Sequence, residues 1–99
     1  MVSKIQINLE KITKEDLDKE ILRIAIIAES DAINLYEQMT ELTENKHFKT
    51  VLLDIARAEK IHVGEFQALL LAFDQQQKKE LTEGKKEVEE VTDKIFARQ

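Results

Sequence analysis

The 99-residue chain contains no cysteine, no proline and no tryptophan, and its only glycines are Gly64 and Gly84. Without cysteine there can be no disulfide scaffold, thiolate zinc site or cysteine-ligated iron centre within the chain, and a reducing compartment is a natural setting. Without proline, and almost without glycine, little obliges the backbone to break. No apolar run approaches ~18 residues, and the opening MVSKIQINLEK lacks the apolar core of a signal peptide, so no membrane span is expected. A basic patch is also missing: the net charge is −5, with 35% charged residues of both signs. That balance argues against nucleic acid and favours modest attraction of cations. What is abundant is Leu, Ile, Ala, Glu, Lys and Gln, all good helix formers. The expectation is one small, soluble, intracellular all-α domain.

Residues 1–12 alternate weakly (Ile5, Ile7, Leu9) and read as an extended N-terminal arm, leaving 13–99 for the helical domain. Thr13 can cap a first helix, with Glu15 and Asp16 near its positive end. Leu17, Ile21, Ile24, Ala25, Ala28, Ala32, Leu35 and Met39 then recur at threes and fours, giving a helix over about 14–43. The polar Thr43-Glu44-Asn45-Lys46 reads as a turn, and a second helix follows over about 47–73. Asp74-Gln75-Gln76-Gln77-Lys78-Lys79 reads as a connector or frayed end. Beyond it Leu81, Val88, Val91, Ile95 and Phe96 make a narrower apolar seam, and a third helix is expected over about 84–97, from Gly84. The two long helices should form an antiparallel hairpin. Its uncovered apolar surface calls for a second copy of the chain, completing a four-helix bundle as a homodimer.

Two glutamates interrupt the apolar stripes. With Glu59 as the zero of its helical wheel, Phe48, Leu52, Ile55, Val63, Phe66 and Leu70 fall within ~40° and His62 lies at about −60°. Around Glu29, Leu22, Ala25, Ile33 and Tyr36 fall within a similar ~40°. Both glutamates are therefore central to a buried face. They also stand equally far from Glu44 in the turn, so the hairpin brings them to one height, ~22 Å from it. Lys60 and Arg57 project about 100° and 160° away from Glu59 and offer no neutralising charge. A metal ion resolves the cost of burying these carboxylates, and Glu-x-x-His is a helix-borne ligand pair. Carboxylate and imidazole together suit iron, manganese or zinc. One chain offers Glu29, Glu59 and His62; two chains offer four glutamates and two histidines, the ligand set of a carboxylate-bridged dinuclear centre. A non-catalytic polar network that fixes register is the plainer alternative. Glu65 reads as solvated or ion-paired, His47 as an exposed or capping residue, and Lys78, Lys79, Lys85 and Lys86 as solvated faces.

The segments AIIAESDAINLYEQM (residues 25–39) and LLDIARAEKIHVGEF (residues 52–66) resemble the encapsulated ferritins, a branch of the ferritin-like superfamily. The likeness is greatest to the archaeal ferritin-like domains associated with encapsulin nanocompartments. It covers both long helices, and Leu81-Thr82-Glu83-Gly84 carries it towards the third. The resemblance implies a hairpin protomer, a ferroxidase centre formed only at a homodimer interface, and assembly of dimers into a ring-shaped decamer. Glu29 matches the bridging glutamate, Glu59 and His62 the Glu-x-x-His pair, and Tyr36 a tyrosine close to the centre. Of two outer carboxylates on the iron-uptake route, Asp31 matches one, whereas Ala28 occupies the place of the other. A carboxylate that often precedes the ligand glutamate is Ala58 here.

The implied activity is oxidation of Fe(II) by dioxygen at a di-iron centre, with Ca, Mn or Zn able to take the metal positions. The implied setting is cytoplasmic, inside an encapsulin nanocompartment, with the shell protein as partner and no nucleic acid or membrane involved. Family members reach their shell through a C-terminal targeting peptide or by fusion to the shell protein. The chain ends Phe96-Ala97-Arg98-Gln99 with neither, which fits an excised domain. The competing readings are a non-catalytic metal-binding helical assembly module and another di-metal oxidoreductase, a peroxidase or manganese catalase.

Overall fold

Thr13 starts the first helix: its Oγ1 accepts a hydrogen bond from the Asp16 N–H at 3.2 Å, satisfying a donor that the helix itself cannot. The computed structural model describes residues 13–92, which form three helices in sequence, α1 (Lys14–Leu42), α2 (Lys46–Phe73) and α3 (Gln75–Thr92), with no strand among the described residues. The expected N-terminal arm and the expected end of the third helix, with Ile95 and Phe96, lie outside the described residues.

The first two helices, of 29 and 28 residues, are each ~42 Å long and pack antiparallel against one another. The turn between them is built from side chains. Asn45 Oδ1 accepts from the N–H groups of His47 and Phe48 at 2.9 and 3.1 Å, capping α2, while the Asn45 N–H donates to Thr43 Oγ1 at 3.2 Å. At the end of α1, Lys49 Nζ donates to the Thr40 carbonyl at 2.9 Å, a cation on a helix C-terminus. Across the pair, Lys60 Nζ donates to Glu37 Oε2 at 3.0 Å and links the two helices.

Leu22, Ile26 and Ile33 of α1 and Leu52, Ile55, Val63 and Phe66 of α2 are half-buried along the seam. Only Ala56 and Leu70 are fully buried hydrophobic residues among those described. Ile21, Leu35, Met39, Val51 and Leu69 remain exposed, and Phe48 and Phe73 are 59% and 66% exposed. A continuous apolar face of this kind is what a monomeric protein rarely leaves open.

The third helix departs from expectation. It begins at Gln75, well ahead of Gly84, and Gly84 lies inside it with no heavy atom within 4 Å of where a Cβ would stand. The polar run Asp74–Lys79 is helical because Gln, Lys and Glu are good helix formers whether or not anything packs on them. Its apolar residues Leu81, Val88 and Val91 are all exposed.

Candidate metal centre

Helical periodicity and the hairpin register together create the cluster. Glu29 sits mid-way along α1, and Glu59 and His62 are one turn apart on α2, so all three turn into the same stretch of the interhelical seam. One ligand atom from each lies within 4.8 Å of the others. His62 Nδ1 is 3.5 Å from Glu29 Oε2 and 3.6 Å from Glu59 Oε2. Ligand atoms that share one divalent ion stand ~3–4 Å apart, because each bond is about 2.0–2.2 Å long. The trio is already close to that spacing.

Burial grades across the site. The Glu59 and Glu29 side chains are 18% and 24% exposed and the His62 side chain 46%, so the cluster opens on the imidazole side. Glu29 Oε2 is buried without a hydrogen-bond partner among the described residues. Such an oxygen has lost water and gained nothing in return, a cost of about 1–3 kcal/mol or more for a charged group. The nearby cations do not relieve it: Lys60 is committed to Glu37, and Arg57 pairs with Asp54 at 3.6 Å on the exposed side. The ion pairs of Glu29 and Glu59 among the described residues run to His62 alone. An orphaned carboxylate oxygen beside a second carboxylate and an imidazole fits a metal ion in chemistry and in spacing.

Other residues singled out in the sequence fall outside this cluster. Tyr36 is half-buried on the Glu29 face but ~10 Å further along the axis, where its carbonyl accepts from Thr40 Oγ1 at 2.9 Å. Asp31 is half-buried on α1 and is not part of the ligand group. Glu65 and His47 are exposed, and the His47 N–H is used in the turn. A shallow groove of ≈ 370 Å³ lined by Asn34, Glu37, Gln38, Thr40, Glu41 and Leu53 contains none of the trio. The Lys60–Glu37 bridge between the two helices had no sequence signal, because its two residues belong to different helices. No helix of the described residues is long and apolar enough to cross a membrane.

Comparison with known proteins agrees with this architecture. Residues 20–99 match the rubrerythrin family. The chain is 59% identical over 87 residues to a ferritin-like–encapsulin shell fusion protein of Pyrococcus furiosus, covering 87% of this chain and 25% of that protein. It is 36% identical over 67 residues to the encapsulin nanocompartment cargo protein EncC of Myxococcus xanthus, covering 68% of this chain and 51% of that protein. The chain thus spans from a quarter to about half the length of these curated relatives. The crystal structure of the encapsulated ferritin domain from Pyrococcus furiosus superimposes with a TM-score of 0.80 at 50% identity, covering 90% of this chain and 96% of that one. The chain belongs to the rubrerythrin family and has the ferritin-like fold of an encapsulated ferritin domain.

Proposed function

We propose that the chain is a ferroxidase domain that oxidises Fe(II) with dioxygen at a di-iron centre shared between two copies, and that it delivers Fe(III) for storage inside an encapsulin nanocompartment. The observation that carries this reading is the convergence of Glu29, Glu59 and His62 on one point, with Glu29 Oε2 buried and unsatisfied. The relatives' association with encapsulin shells supports the setting. Assembly of dimers into a ring-shaped decamer and a cytoplasmic shell partner belong to the same proposal.

A second copy completes the site in two ways. It covers the apolar face that carries Val51, Phe48 and the exposed side of His62, raising local burial and excluding water. It would also double the ligands, and four carboxylates would balance the charge of two divalent ions. Fe(II) is the substrate, each ion giving up one electron, and iron supplies the one-electron chemistry when bound. The chain's residues do the rest. Glu29, Glu59 and His62 would hold the metal, Glu29 from α1 and the Glu-x-x-His pair from α2. The Lys60–Glu37 bridge adds a link between the ligand helices. Tyr36 and Asp31 are assigned supporting places, near the centre and on the uptake route.

The test is aerobic Fe(II) titration of the purified chain, following ferric absorbance and mass together. Rapid oxidation with metal-promoted dimers or larger rings is expected. Slow, uncatalysed oxidation by chains that bind metal would favour a non-catalytic assembly module, and disproportionation of hydrogen peroxide without Fe(II) turnover would favour manganese catalase chemistry.

A further inference from the structure

The break between α2 and α3 falls where no residue obliges the backbone to break. The sequence from Leu70 to Lys79 contains neither glycine nor proline, the residues that ordinarily stop or kink a helix. Yet the two helices are not collinear. Joined end to end from Lys46 to Thr92 they would measure roughly 70 Å, whereas the longest dimension of the molecule is 47 Å. One residue, Asp74, leaves the helical conformation, at φ −128° and ψ 87°.

Four polar side chains hold that bend. Asp74 Oδ1 accepts from the Gln77 N–H at 3.0 Å and caps α3. The other oxygen of the same carboxylate, Oδ2, accepts from Arg23 Nη2 of α1 at 3.1 Å, and Arg23 Nη2 also donates to Gln77 Oε1 at 3.4 Å. Gln75 Nε2 reaches back to the Leu71 and Ala72 carbonyls, both at 3.4 Å, which the break deprives of their helical partners. The Asp74 side chain is 12% exposed and the Arg23 side chain 48%, so the pair lies at the edge of solvent.

We propose that Arg23 and Asp74 form a latch that holds α3 off the axis of α2, and that opening it lets the two helices join into one continuous rod. The bent and straight forms exchange one set of hydrogen bonds for another. In the bent form, side chains of Asp74 and Gln75 satisfy the helix ends; in the straight form, backbone bonds from Gln75, Gln76 and Gln77 replace them. The link from α1 is the one contribution that only the bent form has. The latch therefore decides where the exposed stripe Leu81, Val88 and Val91 is presented: beside the hairpin when closed, beyond its end when open. This inference does not depend on the metal centre.

The chain has no cysteine, so spin labels can be placed at will. Thr50→Cys and Glu87→Cys put one label on α2 and one on α3, both at exposed positions. Labelled chains diluted with unlabelled ones should give a main distance shorter than the 47 Å length of the molecule. Adding Arg23→Gln and Asp74→Ala should move the main distance out by roughly 10 Å or more, towards the ~55 Å of a continuous helix. Arg23→Lys should fall between. In the unaltered latch, raising salt to about 1 M, where screening shortens to ~3 Å, should move population the same way. A double variant that keeps its helical circular dichroism and its short distance overturns the latch. If that variant does not fold, a distance distribution unmoved by salt overturns it.

Discussion

His62 Nδ1 on α2 lies almost equidistant from Glu59 Oε2 on its own helix and Glu29 Oε2 on the other, at 3.6 and 3.5 Å. The imidazole is thus aimed by both helices at once, and loss of any member of the trio leaves the other two without a common focus. Single substitutions at the three positions should have similar consequences for iron. Glu29→Ala, Glu59→Ala and His62→Ala are each expected to remove the fast phase of Fe(II) oxidation, by more than the 10–100-fold typical of residues that merely support a metal ligand. Stopped-flow ferric absorbance measures this directly. A variant that oxidises iron as fast as the parent places the centre elsewhere.

Glu29→Gln should separate function from stability. It removes a buried charge whose Oε2 has no hydrogen-bond partner among the described residues and sets an amide donor beside Glu59 and His62. Metal-free protein should gain on the order of 1 kcal/mol in urea unfolding. The same variant should gain less than the parent from added metal. A loss of metal-free stability would mean that the carboxylate is satisfied in solution.

Chelation should lower the apparent stability and the mass together. A metal that binds only the folded, paired state stabilises by about 2.7 kcal/mol at a hundred times its dissociation constant. Melting curves and native mass spectra with and without chelator should therefore shift in concert. A mass that stays constant while the melting temperature falls would uncouple pairing from metal.

Val51→Glu tests the open face. Val51 is 57% exposed, so a glutamate there costs little in a single chain. Within a dimer interface it would bury an unpaired charge, which is strongly unfavourable. Retained helicity with loss of pairing and of iron oxidation is the expected result. Unchanged mass would move the interface to another face.

The Lys60–Glu37 bridge should matter little for stability despite its position. Its side chains are 58% and 46% exposed, and pairs of that kind contribute about 0–1 kcal/mol. A double-mutant cycle with Lys60→Met and Glu37→Gln should give a coupling in that range.

The meeting of Glu29, Glu59 and His62 was readable in the sequence because their positions follow helical periodicity. Glu29, Glu59 and His62 announce themselves as polar residues on apolar stripes, and the polar turn around Glu44 supplies the register that brings them level. The start of α3 was not readable, for the opposite reason. Polar residues without apolar periodicity carry no signal that separates an exposed helix from a connector, so Gln75–Lys79 reads equally as a connector or a frayed helix end. Asp74 caps its first turn locally, but the Arg23 contact to the same carboxylate comes from another helix, which no local window contains. Gly84 misled because its helical penalty is small, about 1 kcal/mol, and neighbouring residues outweigh it.

Because Ala56 and Leu70 are the only hydrophobic residues fully hidden by the described part of the chain, the lifetime of this protein should depend on how much of it is present. On the proposed pairing, a newly made chain meets proteases with Phe48 and Phe73 still in water until a second chain covers them. Resistance to digestion should thus rise with concentration, and a cell that makes little of the protein should keep disproportionately less of it.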